Sequence, residues 1–214
     1  MRKKTMYCTL DTETLGGAAR PEGVYNAGGT IHDREGNIYA SFNYIIAEHF
    51  RKIQDKAFYG KKNFPRYQQM INCGEASMLA TEEEAVRVID SLLSAYNVKY
   101  VMAFNTGFDL IKTSMAELIK NREFIDIYEM AYTIIRPLKK YADFCRENGF
   151  LTKGCRPQCK VETVYSFMTS NPDFEEEHTA FSDARQEMEI FVRCVKAHKS
   201  YEKNFHCVTR FGWA

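Results

Sequence analysis

The chain has 214 residues, and its 29 lysines and arginines nearly balance its 28 aspartates and glutamates, for a net charge of +1. This length predicts one domain with a sizeable core, and the balanced charge excludes a global field that would attract polyanions. No apolar run reaches membrane-spanning length, and the seven cysteines are an odd number in a chain with no evident export signal. We therefore expect a soluble cytoplasmic protein with reduced thiols and no membrane partner.

The first third of the chain has the pattern of β-strands. Residues 5–10 are apolar and β-prone, which predicts a strand that ends at Asp11. Residues 24–33 and 37–46 flank a short Arg-Glu-Gly loop, as in a β-hairpin. The sequence therefore predicts three strands before the first long helix.

From residue 81 onward helical patterns dominate. Residues 81–95 are amphipathic and begin with Thr81, a plausible N-cap. A short buried strand over 100–104 follows, and Asn105 can cap a helix that runs to Ile119. Three later helices are predicted over 138–148, 160–169 and 180–197. This order predicts an α/β fold, a mixed sheet of about five strands with helices on both faces.

The stretch 48–72 does not fit this alternation. Its basic residues alternate with aromatic ones, which is what a single-strand nucleic-acid platform requires, and a substrate-contacting insertion is one interpretation. The other is a structural segment whose aromatic rings pack on the core. The residues concerned are Arg51, Lys52, Lys56, Lys61, Lys62 and Arg66, with Phe50, Phe58, Tyr59, Phe64 and Tyr67.

Three acidic signatures occur in a fixed order. Asp11 and Glu13 share one face of a strand, because side chains alternate with period two. Asp109 lies four residues after Asn105, and His178 lies five before an aspartate; the four acids and the histidine are Asp11, Glu13, Asp109, His178 and Asp183. Folding alone can bring them together, and such a cluster suits two divalent ions held against a phosphodiester. Their hard oxygen ligands favour Mg²⁺ or Mn²⁺ over zinc.

The signatures match the Asp-x-Glu, Asn-x-x-Phe-Asp and His-x-x-x-x-Asp patterns of a known group. The chain resembles the DEDDh 3′–5′ exonucleases of the DnaQ-like (RNase H-like) superfamily, small bacteriophage members above all. The resemblance implies an RNase H-like fold and two Mg²⁺ or Mn²⁺ ions, with His178 taking the proton from the attacking water. It implies that the metal ligands are Asp11, Glu13, Asp109 and Asp183.

The same resemblance implies residues that contact substrate. Thr14 and Leu15 would touch the terminal sugar and wedge under its base, and Phe108, with Asn105, would line the pocket of the terminal nucleotide. Asp126 matches a family acid outside the ligand set, and we interpret it as structural.

The expected function is metal-dependent release of 5′-mononucleotides from 3′ ends of single-stranded DNA, by one exonuclease domain over 1–214. Alternatives are a 3′–5′ exoribonuclease of the RNase T or oligoribonuclease type, a proofreading subunit bound to a polymerase, and a non-catalytic nucleic-acid-binding subunit. The tail 199–214 would contact a polymerase or, as we prefer, pack on its own core. Cys145, Cys155 and Cys159 give only a weak zinc signal.

Overall fold

A computed structural model describes residues 4–17 and 20–197. Two predicted features, the tail 199–214 and the middle of the loop over 17–21, lie outside the described residues. The described part contains a mixed sheet of six strands in the order β4-β3-β2-β1-β5-β6. The strands are β1 Met6–Gly17, β2 Arg20–His32, β3 Ile38–Ile46, β4 Ser77–Leu79, β5 Val98–Ala103 and β6 Glu123–Asp126.

The predicted α/β class and mixed sheet are confirmed, with six strands where about five were expected. β1 pairs antiparallel with β2, which pairs antiparallel with β3, whereas β4, β5 and β6 join the sheet in parallel. The three residues of β4 are too few to give a periodic signal, so the sequence did not reveal this strand.

β1 is longer than predicted and does not end at Asp11. It continues to Gly17 because β2 pairs with it along this length, with Asp11 opposite Gly28. Its parallel pairing with β5 ends earlier, at Thr9 and Met102. The acids of the first signature therefore lie inside a strand, just beyond the point where one neighbouring strand stops.

Four helices agree closely with the ranges predicted for them, 81–95, 138–148, 160–169 and 180–197. Thr81 caps the helix Glu82–Ala95 as expected, since its Oγ1 accepts a hydrogen bond from the Glu84 amide at 3.1 Å. The predicted cap at Asn105 is wrong: Thr106 precedes a π-type turn over Gly107–Ile111, and a 3₁₀ turn follows over Ser114–Ile119. The α-helices are α1 Ala47–Phe50, α2 Ile53–Lys56, α3 Gly60–Asn72, α4 Glu82–Ala95, α5 Ile127–Met130, α6 Lys139–Glu147, α7 Val161–Thr169 and α8 Ala180–Ala197.

Helices cover both faces of the sheet, as alternate side chains of the strands require. Tyr7 points towards α8, where it packs on Phe191, whereas its neighbour Cys8 belongs to the cluster beneath α4. Within the described residues no helix is long and apolar enough to cross a membrane. All six described cysteines are free, and no metal-binding group of described side chains includes Cys145, Cys155 or Cys159.

A third cluster lies where α1, α2 and α3 cover the end of the sheet. Phe50, Ile53 and Tyr67 are buried there against residues of β1 to β3. In the same segment Phe58 is 86% exposed. The aromatic residues of 48–72 are therefore divided: most pack on the core, and one faces solvent.

Candidate active site

The site forms between the middle of β1 and the first turn of α8. Tyr7 packs on Phe191 of α8, and Thr9 forms a hydrogen bond with the buried His32. Asp11 and Glu13 follow at alternate positions of β1, so their side chains lie on the same face of the strand. The first turn of α8 carries an acid that is only 7% exposed, Asp183.

Two residues of β2 bring α8 close to β1, and the sequence analysis missed both. Gly28 lies opposite Asp11, and a Cβ at this glycine would stand 2.2 Å from the backbone nitrogen of Phe181. Asn26 Oδ1 accepts a hydrogen bond from the Ala180 amide at 3.0 Å. A glycine inside a strand often marks close approach of another backbone, and this was the signal available.

Three of the predicted residues place possible metal-ligand atoms close together. Ligand atoms of Glu13, His178 and Asp183 all lie within 4.8 Å of each other. Glu13 also accepts a hydrogen bond of 3.3 Å from the Tyr25 hydroxyl. Asp11 is not a member of this group, but burial raises its pKa and the nearby charges of Asp109, Asp183 and Glu13 raise it further.

Asp109 reaches the site from the π-type turn after β5. Its Oδ1 accepts hydrogen bonds from the Thr12 amide at 3.2 Å and the Thr12 hydroxyl at 2.7 Å. Thr12 lies between the two acids of β1, so this pair of bonds joins the second signature to the first. Asp109 is 3% exposed, and its Oδ1 position is fixed by those bonds.

The acids of the site repel one another. Burial raises the pKa of Glu13 to about 8, that of Asp183 to about 9 and that of Asp109 to about 7, and neighbouring carboxylates add to each shift. Burial also raises the pKa of Asp11 well above its ordinary value. Cations close to the carboxylates would reverse these shifts, because opposite charge favours the ionised form.

The donor set fits divalent metal ions. Asp183 Oδ1 is buried and has no hydrogen-bond partner. A buried carboxylate oxygen left unpaired is costly unless a cation or donor satisfies it. This oxygen belongs to the carboxylate that lies with Glu13 and His178 in the close group, and carboxylate oxygens are the ligands that Mg²⁺ and Mn²⁺ prefer.

His178 lies just before α8, with a positive φ of 54°. Its imidazole stacks on the ring of Tyr59, and its Nδ1 is 3.9 Å from a carboxylate oxygen of Glu176. Burial lowers the pKa of His178, whereas Glu162 raises it and Lys62 lowers it further. A histidine with a lowered pKa is neutral at physiological pH and able to accept a proton.

The predicted substrate residues differ in exposure. Asn105 is exposed with a φ of 76°, and Thr14 and Phe108 are half-buried near the acids. Leu15 is only 2% exposed and packs in the third cluster, so its side chain does not line the site surface. Asp126 accepts hydrogen bonds from the Asn105 and Tyr128 amides, consistent with the structural interpretation of this acid.

A further acid, Glu187, lies one helical turn after Asp183 and was missed from the sequence. It is 2% exposed, and its Oε2 accepts a hydrogen bond from the Phe104 amide at 3.0 Å. Burial raises its pKa well above the ordinary value, with added repulsion from Asp109 and Asp183. Its spacing of four from Asp183 on an amphipathic helix was the available signal.

The six-stranded mixed sheet with helices on both faces is an RNase H-like fold. No protein-family model matches the sequence, and no curated protein matches it significantly. The likeness to small bacteriophage exonucleases stays a prediction.

Three solved structures with this fold cover most of this chain. Cell-death related nuclease 4 superposes with a TM-score of 0.57 at 14% identity over 91% of this chain and 65% of that one. E. coli exonuclease I bound to a dA16 oligonucleotide gives 0.55 at 11% identity, over 94% and 43%. S. pombe Pop2p in its Mg²⁺- and Mn²⁺-bound form gives 0.52 at 14%, over 94% and 87%. The chain thus spans less than two thirds of the first two proteins.

Proposed function

We propose that the protein is a metal-dependent 3′–5′ exonuclease that releases 5′-mononucleotides from single-stranded DNA. The observation that carries this proposal is the close group of Glu13, His178 and Asp183, with a buried, unpartnered oxygen on Asp183. Mutually repelling buried acids are destabilising by themselves, which is the usual mark of a functional site.

Two divalent ions, Mg²⁺ or Mn²⁺, would be held by Asp11, Glu13, Asp109 and Asp183. Support comes from the acids' raised pKa values and from the similar fold of Pop2p, described in a Mg²⁺- and Mn²⁺-bound form. When bound, such ions lower the pKa of the attacking water and stabilise charge on the leaving oxygen.

The chain's own residues then orient the reactants and move the proton. His178 Nδ1 or Nε2 accepts the proton of the attacking water, which the lowered pKa of its imidazole favours at neutral pH. Thr12 fixes the orientation of the Asp109 carboxylate. Thr14, Asn105 and Phe108 contact the terminal nucleotide from the exposed side of the site. Leu15 supports this surface from beneath, because its side chain is buried.

Single-stranded DNA is the favoured substrate. E. coli exonuclease I, which shares the fold, was solved with dA16 and dT13 oligonucleotides. Discrimination against RNA depends on how the site treats a 2′-hydroxyl group. The exoribonuclease, polymerase-bound and non-catalytic alternatives therefore become outcomes of the test rather than separate proposals.

The test uses oligonucleotides labelled at the 5′ end as single-stranded DNA, duplex DNA and RNA. We expect stepwise shortening of single-stranded DNA from its 3′ end with Mg²⁺ or Mn²⁺ and none with chelator. Faster shortening of RNA would favour the exoribonuclease. Binding without cleavage under every metal condition would support the non-catalytic subunit instead.

Several broader features belong to the same proposal. The whole chain 1–214 acts as one exonuclease domain in the cytoplasm, which the free state of the six described cysteines supports. A polymerase partner is tested by co-purification. In a virus-encoded protein the compartment would be the host cytoplasm.

A further inference from the structure

The loop that carries His178 is held by α3, a part of the 48–72 segment. Asn63, which is 6% exposed, donates hydrogen bonds from Nδ2 to the backbone oxygens of Glu177 at 3.1 Å and His178 at 2.8 Å. The Tyr67 hydroxyl donates to the same His178 oxygen at 3.3 Å. The backbone carbonyl of a residue with positive φ is thus fixed by two side chains from one helix.

A salt bridge adds a second connection between the same two regions. Arg66 Nε lies 2.5 Å from Glu177 Oε1, and its Nη1 lies 2.8 Å from Glu75 Oε2. Arg66 was one of the predicted phosphate-contacting residues, but its guanidinium is bound to these two acids. This pairing connects part of the basic stretch to the histidine loop.

The imidazole itself is contacted by the residue that precedes α3. The rings of Tyr59 and His178 stack with centroids 3.8 Å apart and planes inclined by 8°. Tyr59 sits at a tight turn, because a Cβ at the next residue, Gly60, would lie 1.7 Å from the carbonyl oxygen of Ile53. Close parallel stacking restricts rotation of the imidazole, while a ring nitrogen remains within ligand distance of the acids.

We infer that Tyr59 is a positioning residue that holds the imidazole of His178 in the orientation needed for proton transfer, an inference that rests on the proposed function. Tyr59 acts through His178 and does not itself take the proton. Asn63 and Tyr67 set the backbone of the loop, and Tyr59 sets the ring plane. Residues 59–67 thereby have a role in the site that neither sequence interpretation of 48–72 contained.

The first test compares Tyr59→Leu, which removes the stacked ring, with Tyr59→Phe, which keeps it. Misplaced catalytic groups cost up to about 100-fold, so we expect Tyr59→Leu to lower kcat roughly 10- to 100-fold with little change in KM. Tyr59→Phe should stay within about twofold of the wild type, because the ring remains. Phe58→Leu is the matched control, since Phe58 is 86% exposed and meets Tyr59 only edge-on.

A double variant separates positioning from substrate stacking. If Tyr59 acts only through the histidine, Tyr59→Leu should cause no further decrease in a His178→Ala background, since coupled residues are non-additive. A further decrease in that background, or an increase in KM for oligonucleotides in Tyr59→Leu, would assign Tyr59 to substrate stacking and overturn the inference.

A second readout does not depend on activity. In the metal-free protein, NMR of ¹³C-labelled histidine should show the His178 ring protons shielded by the stacked ring in wild type and Tyr59→Phe. The shielding should disappear in Tyr59→Leu, and unchanged shifts would refute the stacking. A thermal melting curve confirms that each variant is folded. If Tyr59→Leu does not fold, Asn63→Asp takes its place. That variant replaces the donor to both carbonyls and should lower kcat.

Failure of the proposed function can be told apart from failure of the positioning role. If the wild type shows no nuclease activity with Mg²⁺ or Mn²⁺, the proposed function fails, and so does the positioning role. If the wild type is active and Tyr59→Leu is equally active, only the positioning role fails.

Discussion

The β1–α8 junction and residues 59–67 both lie beside His178, but they are built differently. The junction consists of strand β1 and helix α8, and α8 comes close to the sheet at Gly28 of β2, where no side chain fits. Asn63, Arg66 and Tyr67 of α3 hold the loop of Glu177 and His178 through side-chain hydrogen bonds. Tyr59, just before α3, stacks on the imidazole. The packing of the β1, β2 and α8 backbones therefore fixes where Glu13 and Asp183 lie, whereas side chains of α3 and the ring of Tyr59 fix how the histidine is turned.

The largest effect is expected at the junction. Asp183→Asn should abolish turnover. The loss should exceed the roughly 10–100-fold decrease that is typical when a residue that only supports a metal ligand is replaced. The fold should persist, because removing one of several repelling charges relieves strain in the metal-free protein. Asp173→Asn, at an exposed position before the histidine loop, is the control. The measurement is the rate of single-stranded DNA cleavage by each variant, and full activity in Asp183→Asn would contradict the two-metal assignment.

His178 lies where the two regions meet. His178→Ala should lower kcat by about 10²–10⁴-fold and affect KM less, as expected when a general base is removed. In the wild type, kcat should rise with pH through the pKa of His178, which burial lowers, because only the neutral imidazole accepts a proton. A pH–rate profile identical in the two proteins would show that another group takes the proton.

Gly28 tests the junction without touching a ligand. Gly28→Ala places a Cβ 2.2 Å from the Phe181 nitrogen, so α8 must shift away from β2. Overpacking of this kind costs about 1–3 kcal/mol, and the shift should reduce activity as well. Gly154→Ala is the control, since the nearest atom there is 3.9 Å away. Equal melting temperatures for the two variants would contradict the close approach.

The acids of the junction make metal-free stability depend on pH. The pKa values of Glu13 and Asp183 rise on folding from 4.5 and 3.8 to about 8 and about 9. The folded state therefore binds more protons at these two acids, and their contribution to stability is fully present below about pH 4 and is lost as pH rises towards 9. Thermal melting with chelator should show this decline, and Mg²⁺ or Mn²⁺ should reverse it. A melting temperature independent of pH in chelator would count against the buried charges.

The smallest effect is expected from the exposed side of the 48–72 segment. Lys61 and Lys62 are exposed, unlike the paired Arg66. Replacing both lysines by alanine should weaken binding of long single strands and flatten its salt dependence by about 0.7 on a log–log plot for each phosphate that the protein no longer binds. Dinucleotide binding should hardly change. The exposed pair Lys139 and Lys140 is the control, and an unchanged slope would leave the segment with its structural role alone.

Much of the fold could be predicted because its signals are local. The amphipathic period of α4 and the Thr81 cap follow from neighbouring residues, and the observed helix matches the predicted one. The extension of β1 to Gly17 could not be predicted, because pairing with β2 overrides the polar composition of 11–14. The cap at Asn105 failed since the chain there forms a π-type turn after a residue with positive φ.

The same division holds for the candidate site. The sequence by itself determined the identities and order of the acids and the histidine, because alternation on a strand and turns on a helix are local rules. Only the tertiary structure decided that Gly28 admits α8, that Thr12 fixes Asp109 and that Tyr59 stacks on His178. These interactions join residues 97 and more positions apart, or pack one backbone on another, and no local pattern encodes such pairings.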